Sequence, residues 1–370
     1  MLRFGSRYDW RSIQTTHRNG TSTDKTWYAP KAPLVKECKI VEGLGTIESG
    51  VLIGSQGELF LADGGHNVLD FATGKRQVNV ASIRTFWRNI SDRRAYITAR
   101  GAEFHHIIFP DKQSVLVDNF ITPTPICLGQ LYIDSFPPDI EDNRSKVFYP
   151  KEVLKSENAR VFLKTDTHLT DCGSVIVAAA IVEQVVGRPQ SELLADIRRN
   201  INITKSHCGD LGKKLSPPAS SDEVFLGIRE KNLWLHNGVS GGNNGIIDIR
   251  MNEEAPFAER VLYFGDSFGR ECVRFLAMFF KEVLFCRTRY FHPDIFDLHK
   301  PDVVITENVE RYLDSVGNDE RRPLFLLYPH LSGLEYRPSK EFCEVLSAIL
   351  SYPGPAYKDL VHRMRASETK

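Results

Sequence analysis

Two kinds of apolar run alternate along this chain. Short continuous runs bounded by turn residues read as buried strands, and longer stretches with apolar residues three and four apart read as helices. Val51–Gly54 and Glu58–Ala62 predict two short strands around a turn at Ser55-Gln56-Gly57. Ile83, Phe86, Trp87, Ile90, Ala95 and Ile97 keep helical spacing and Gly101 supplies a stop, so a helix is expected over 80–100, then a strand over Phe104–Phe109. Val161–Lys164 reads as the next strand. Thr170 caps a helix with an apolar stripe of Val175, Ala178, Ala179, Val182 and Val186, ended by Gly187. Val224–Ile228, Ile246–Ile249, Val261–Phe264, Val283–Phe285, Val303–Thr306 and Leu324–Leu327 read as further strands, and Asn308–Leu313 and Lys340–Leu350 as helices. Continuous apolar strands alternating with helices predict an α/β fold: an open, mostly parallel sheet with helices on both faces.

The same pattern divides the chain. Residues 1–40 show little periodicity and read as an N-terminal arm. Residues 41–330 read as one domain with an irregular, turn-rich excursion near 201–222 that includes Leu215-Ser216-Pro217-Pro218, and 331–370 as a C-terminal helical segment on that domain. Composition supports a packed core, with 42% hydrophobic and 25% charged residues in 370. Lys plus Arg equals Asp plus Glu, 47 each, which argues against a dedicated nucleic-acid binder. The seven cysteines are scattered, without a C-x-x-C pair or a Cys/His cluster, so no metal, organic cofactor or disulfide framework is expected. Residues 1–19 are polar and charged, unlike a secretory signal. The richest apolar window, Val175–Val186, is too short to span a bilayer and contains Glu183 and Gln184. A soluble chain with no visible export address is the expectation.

Candidate chemistry sits in two strings, each at a predicted strand-to-helix corner, where open α/β sheets place their ligands. Lys164-Thr165-Asp166-Thr167-His168 offers a carboxylate and an imidazole two residues apart, a spacing that points both to one side of an extended chain. Phe264-Gly265-Asp266-Ser267-Phe268-Gly269 puts a hydroxyl at a helix N-terminus, where N–H groups and the helix dipole favour an anion. Side by side in the sheet, the strings supply Ser267 as nucleophile, His168 as base and Asp166 as its orienting group. Taken alone, Ser267 is as well explained as an N-cap and Asp166 as the head of an Asx turn. The Asn/Gly loop that includes Asn237, Gly238 and Asn243 offers amide donors to an oxyanion or a substrate, or is an ordinary hairpin connection; Phe268 at the helix start is a further candidate. Glu307, Asn308 and Arg311 close another strand, either against a substrate or in a capping and ion-pair network. Asp266 is expected to bond its own turn, and His105-His106 to be structural on a core strand.

In this order the strings resemble the SGNH-hydrolase-like acyltransferases that O-acetylate bacterial polysaccharides, the alginate O-acetyltransferases among them. The matching residues are Lys164 to His168, Gly265 to Gly269, Lys300-Pro301-Asp302-Val303-Val304-Ile305, Glu307 and Val309-Glu310-Arg311, joined by Gly57 to Leu61, Phe109-Pro110-Asp111-Lys112 and Gly209-Asp210-Leu211. Asp166 and His168 precede Ser267, which is the permuted order of the alginate type. The resemblance implies a Ser267–His168–Asp166 acyl-enzyme mechanism, O-acetyl transfer to a hydroxyl of a polysaccharide or oligosaccharide, a membrane-bound acyl-transfer protein as donor, and a periplasmic location. The family usually has Trp after the His, and Leu169 stands there. An esterase of the same fold and a non-catalytic glycan-binding relative remain as alternatives.

Overall fold

The computed structural model describes residues 45–367 except 121–125, 136–140, 158, 199–201 and 228–231. The expected arm, 1–40, lies outside the described residues. In chain order the strands are β1 (Ile47–Glu48), β2 (Val51–Ile53), β3 (Leu59–Leu61), β4 (Glu103–Phe109), β5 (Val147–Phe148), β6 (Asn202–His207), β7 (Ser221–Leu226), β8 (Leu233–His236), β9 (Ile247–Met251), β10 (Phe257–Gly265), β11 (Phe280–Arg287) and β12 (Val303–Val309). The main helices are α1 (Val80–Thr98), α2 (Asp171–Val186), α3 (Ser267–Leu276), α4 (Pro293–His299), α5 (Lys340–Leu350) and α6 (Pro355–Ser367).

Seven strands form the central sheet in the order β5-β4-β12-β10-β11-β9-β8. β5, β4, β12, β10 and β11 run parallel, and β9 and β8 add an antiparallel edge. This is the expected mostly parallel α/β sheet. The strands alternate their side chains between two apolar layers. Val261 and Tyr263 face α2 and α3, where Val175, Ala178, Val182, Cys272 and Phe275 pack. Leu262 and Phe264 face the other side, against Phe86, Trp87 and Ile90 of α1, Ile295 of α4 and Phe342 and Val345 of α5. Of the stripe expected on α1, Phe86, Trp87, Ile90 and Ile97 are buried; so is Arg93, which is neutralised by Asp319 at 2.6 Å.

Four expected elements differ. Val161–Lys164 is not a sheet strand: residues 161–170 form a compact loop with one antiparallel bridge, Phe162 to Leu169, so the Asp166/His168 string leaves no strand of the central sheet. Its apolar residues fill space beneath the loop, which a short apolar run does not distinguish from strand burial. The excursion near 201–222 is more ordered than expected, because β6 and β7 pair as an antiparallel ribbon from Asn202↔Leu226 to His207↔Ser221. Leu324–Leu327 is a 3-10 turn with Phe325 buried and Leu324, Leu326 and Leu327 exposed. The strand preceding Arg311 continues to Val309, and a 3-10 turn over Glu310–Ser315 replaces the expected helix.

The loop carrying Asp166 and His168 is closed at its base. Thr170 N donates to Val161 O (2.9 Å), and Leu163 N to His168 O (3.1 Å). Thr170 Oγ1 donates to Arg160 O (2.8 Å) and accepts from Gly173 N (3.0 Å), the N-cap bond of α2. One hydroxyl thus ties the loop to the helix that follows. Replacing Thr170 with Ala should cost about 1–2 kcal/mol in urea unfolding, the usual worth of a lost N-cap, and Thr170→Ser should restore most of it.

Candidate active site

The sheet positions the hydroxyl. β10 ends at Gly265, and the chain turns through Asp266 into α3, whose first residue is Ser267. Asp266 holds that corner, as expected. Its Oδ1 accepts from Phe268 N (2.8 Å), its Oδ2 accepts from Val309 N at the end of β12 (3.0 Å), and its own N–H donates to Glu307 Oε2 (3.0 Å). Glu307 is buried, and burial together with the neighbouring Asp266 pushes its carboxyl well above the usual range.

The imidazole arrives from the loop. His168 Nε2 lies 2.9 Å from Ser267 Oγ, and His168 Nδ1 lies 2.7 Å from Asp166 Oδ1. The three expected groups therefore meet in one hydrogen-bonded line. The His168 side chain is a quarter exposed and Ser267 is half-buried. Burial works to raise the Asp166 carboxyl, but hydrogen bonds from the His168 ring and from the backbone N–H groups of His168 and Asp210 outweigh it and hold the group well below the usual carboxylate range. Burial works to lower His168, and the hydrogen bond and charge of Asp166 reverse this, raising the imidazole above its ordinary value. Phe268 lies against the ring, centroids 4.9 Å apart, and limits its rotation.

A buried cation holds the loop. Lys112, just past the end of β4, donates to Leu163 O (2.7 Å) and Lys164 O (2.9 Å) and pairs with Glu58 Oε2 (2.8 Å). Leu59 N also donates to Lys164 O (3.0 Å), and Lys164 N donates to the buried Glu223 (2.7 Å). Asp210 accepts from both N (2.8 Å) and Oγ1 (2.6 Å) of Thr167. Asp166, His168 and Asp210 have ligand atoms within 4.8 Å of one another, the one such group with metal-ligand chemistry among the described residues. Because Asp166 faces His168 and Asp210 faces Thr167, the cluster is satisfied as a hydrogen-bond network of the chain itself.

The remaining candidates are placed differently. Asn237 is buried and its amide bonds the loop backbone: Nδ2 donates to Gly245 O (2.7 Å) and Oδ1 accepts from Ile247 N (3.1 Å). It clamps the β8–β9 loop from a buried position. Gly238 N donates to His236 Nδ1, and Asn243 Oδ1 accepts from Arg287, so both serve the loop. Phe268 contributes a ring against His168, while its N–H donates to Asp266, the N-cap of α3. Arg311 is buried, paired with Asp111 Oδ1 (2.5 Å) and set over the Phe268 ring, which makes it a support behind the site. Leu169 is buried in the core beneath the loop. Glu58 and Lys112 lie in strings that carry the family resemblance, but their role, like that of Glu223, had no signal in the sequence, since the three come together from distant segments.

Residues 51–224 match the model of the SGNH hydrolase-like domain of acetyltransferase AlgX. The matched stretch contains Lys112, Asp166, His168 and Asp210, and Ser267 lies beyond it. No curated protein matches the chain. Among solved structures, Bacillus cereus PatB1 with a sulfonyl adduct superposes at a TM-score of 0.51 and 14% identity, covering 66% of this chain and 94% of that one. A DHHW family protein from Eubacterium siraeum gives 0.51 at 13%, covering 76% and 98%. The O-acetyltransferase domain of Pseudomonas putida AlgJ gives 0.46 at 19%, covering 74% and 96%. At these identities PatB1 and the DHHW protein share the fold.

Replacing Lys112 with Met should cost about 3–5 kcal/mol in denaturant unfolding, because Glu58 is left as an unpaired buried charge. The double variant with Glu58→Met should recover much of that loss, and a loss undiminished in the double variant would assign the cost to the freed carbonyls.

Proposed function

We propose that this chain, whose residues 51–224 match the SGNH hydrolase-like domain of acetyltransferase AlgX, is a serine-dependent O-acyltransferase that moves an acetyl group to a hydroxyl of a polysaccharide or oligosaccharide. The observation that carries this reading is the continuous hydrogen-bonded line Asp166–His168–Ser267 at the open end of the sheet. His168 Nε2 takes the Ser267 proton as Oγ attacks the acyl carbonyl. The negative charge formed on the carbonyl oxygen lies at the N-terminus of α3, whose dipole favours it. The tetrahedral intermediate breaks down as His168 returns that proton to the leaving group, giving an acyl-Ser267 ester. An acceptor hydroxyl then loses its proton to His168, attacks the ester and leaves as the acylated sugar; His168 reprotonates Ser267 Oγ as it departs. Asp166 fixes the tautomer that leaves Nε2 as the base and stabilises the imidazolium formed in each half. A membrane-bound acyl-transfer protein is the donor that the family resemblance suggests.

Intact-mass measurement after incubation with a small acetyl ester should show one added acetyl group, and the gain should vanish in Ser267→Ala. Supplying oligosaccharides during turnover should give acetylated sugar as the main product; free acetate alone, with every acceptor, would identify a hydrolase.

Turnover requires neutral His168, so its rate should rise with pH through a midpoint above the ordinary imidazole value of about 6.5. In Asp166→Asn only the charge of Asp210 still opposes burial, and the midpoint should fall. The rate on its plateau should drop on the order of 10³–10⁴-fold, as when a triad carboxylate is replaced by an amide.

A further inference from the structure

Only one oxygen of the Asp166 carboxylate faces His168. The other, Oδ2, accepts from Asp210 N (3.0 Å) and lies 3.3 Å from His207 Nε2. His207 is the last residue of β6, and its backbone is fastened on both sides. The ribbon pairs it with Ser221, and Thr165 Oγ1 donates to its carbonyl (3.3 Å). Its ring stands against Phe225 of β7, centroids 6.0 Å apart. Its side chain is 30% exposed, against 26% for His168. One largely buried carboxylate is thus shared by two partly exposed imidazoles, His168 and His207, 39 residues apart in sequence, and the proposed reaction uses only one of them.

Building on the acyl-transfer reading, we propose that His207 is a positioning residue: its Nε2–H donates to the outer oxygen of Asp166 and so orients the carboxylate plane toward His168. The titratable and charged groups facing His207 are Asp166, His168 and Asp210 on the loop side and, by strand register, Glu223 and Lys205 on its own face of the ribbon. Glu223 is engaged by Lys164 N, Ser221 Oγ and Arg160, so Asp166 is the carboxylate bonded to the His207 ring.

The test combines ester turnover with the NMR signal of the His168 Nδ1–H proton in the full chain. His207→Ala should lower kcat about tenfold, the worth of one hydrogen bond to a charged group, with KM within about twofold, and His207→Gln, which keeps an N–H donor, should recover most of the loss. The His168 Nδ1–H resonance should shift in His207→Ala and return toward its native position in His207→Gln. In an Asp166→Asn background His207→Ala should have little further effect on kcat. A kcat in His207→Ala within about twofold of the native value, or a Gln variant no better than Ala, would overturn the proposal. A resonance that shifts in Ala and returns in Gln, without ester turnover in the native protein, would support the positioning role and count against the acyl-transfer reading alone.

Discussion

The site depends on one ammonium group bonded to backbone carbonyls. Asp166 and His168 belong to a loop with a single bridge, so no ladder of sheet hydrogen bonds fixes their position. Lys112 replaces that ladder, directing its donors at Leu163 O, Lys164 O and Glu58. Burial lowers the Lys112 pKa and Glu58 opposes that shift, which keeps a cation where the carbonyls need one. Because Lys112 follows β4 directly, the loop is registered against the sheet that also carries Ser267, two strands away across β12. A buried ion pair is weak evidence for net stability, since desolvation offsets much of its attraction. Its consequence here is geometric: it specifies where the loop backbone runs.

The serine side is built differently, by close packing around a buried carboxyl group. Glu307 lies beneath the Gly265–Gly269 corner with Oε2 on the Asp266 N–H, and a Cβ at Gly265 or Gly269 would overlap that oxygen. The two glycines of the Gly-Asp-Ser-Phe-Gly string are therefore needed for the space they leave, and neither has a positive φ. Asp266, accepting from Phe268 N and Val309 N, joins the helix start to the neighbouring strand. The hydroxyl is held by the sheet and the imidazole by a tethered loop, and the 2.9 Å contact between them joins two separately fixed supports.

The central sheet was legible wherever apolar runs were long or bounded by clear stops. α1, α2 with its Thr170 cap, β10 and α5 follow from spacing and capping residues alone. The triad residue types and their order were legible too, and the family resemblance rested on them. Reading failed where a short apolar run had two possible burial partners. Val161–Lys164 buries against the core as a loop, and Leu324–Leu327 exposes three of its four residues. It also failed for Asn237, because an amide's local partners depend on a loop conformation that composition does not encode. The convergence of Lys112, Glu58, Glu223 and His207 on residues 163–166 could not be read, because each contact joins segments more than 40 residues apart and leaves no periodicity.

This division of supports explains why the order of the two blocks along the chain can be permuted without altering the chemistry. Acyl transfer needs a base and a hydroxyl at hydrogen-bond distance, with a carboxylate behind the base. None of these requirements refers to chain order. The serine must follow a central strand, since only there do the helix dipole and the packed corner coincide. The base has no such restriction, because a loop of about ten residues closed by the Thr170 and Leu163 bonds can be set down wherever a cation from the sheet edge holds its carbonyls. The cost of that freedom is a dense polar network around a short segment, and the same network brings a second imidazole to Asp166. A base carried on a sheet strand would need fewer such partners and would offer fewer points at which its basicity could be adjusted.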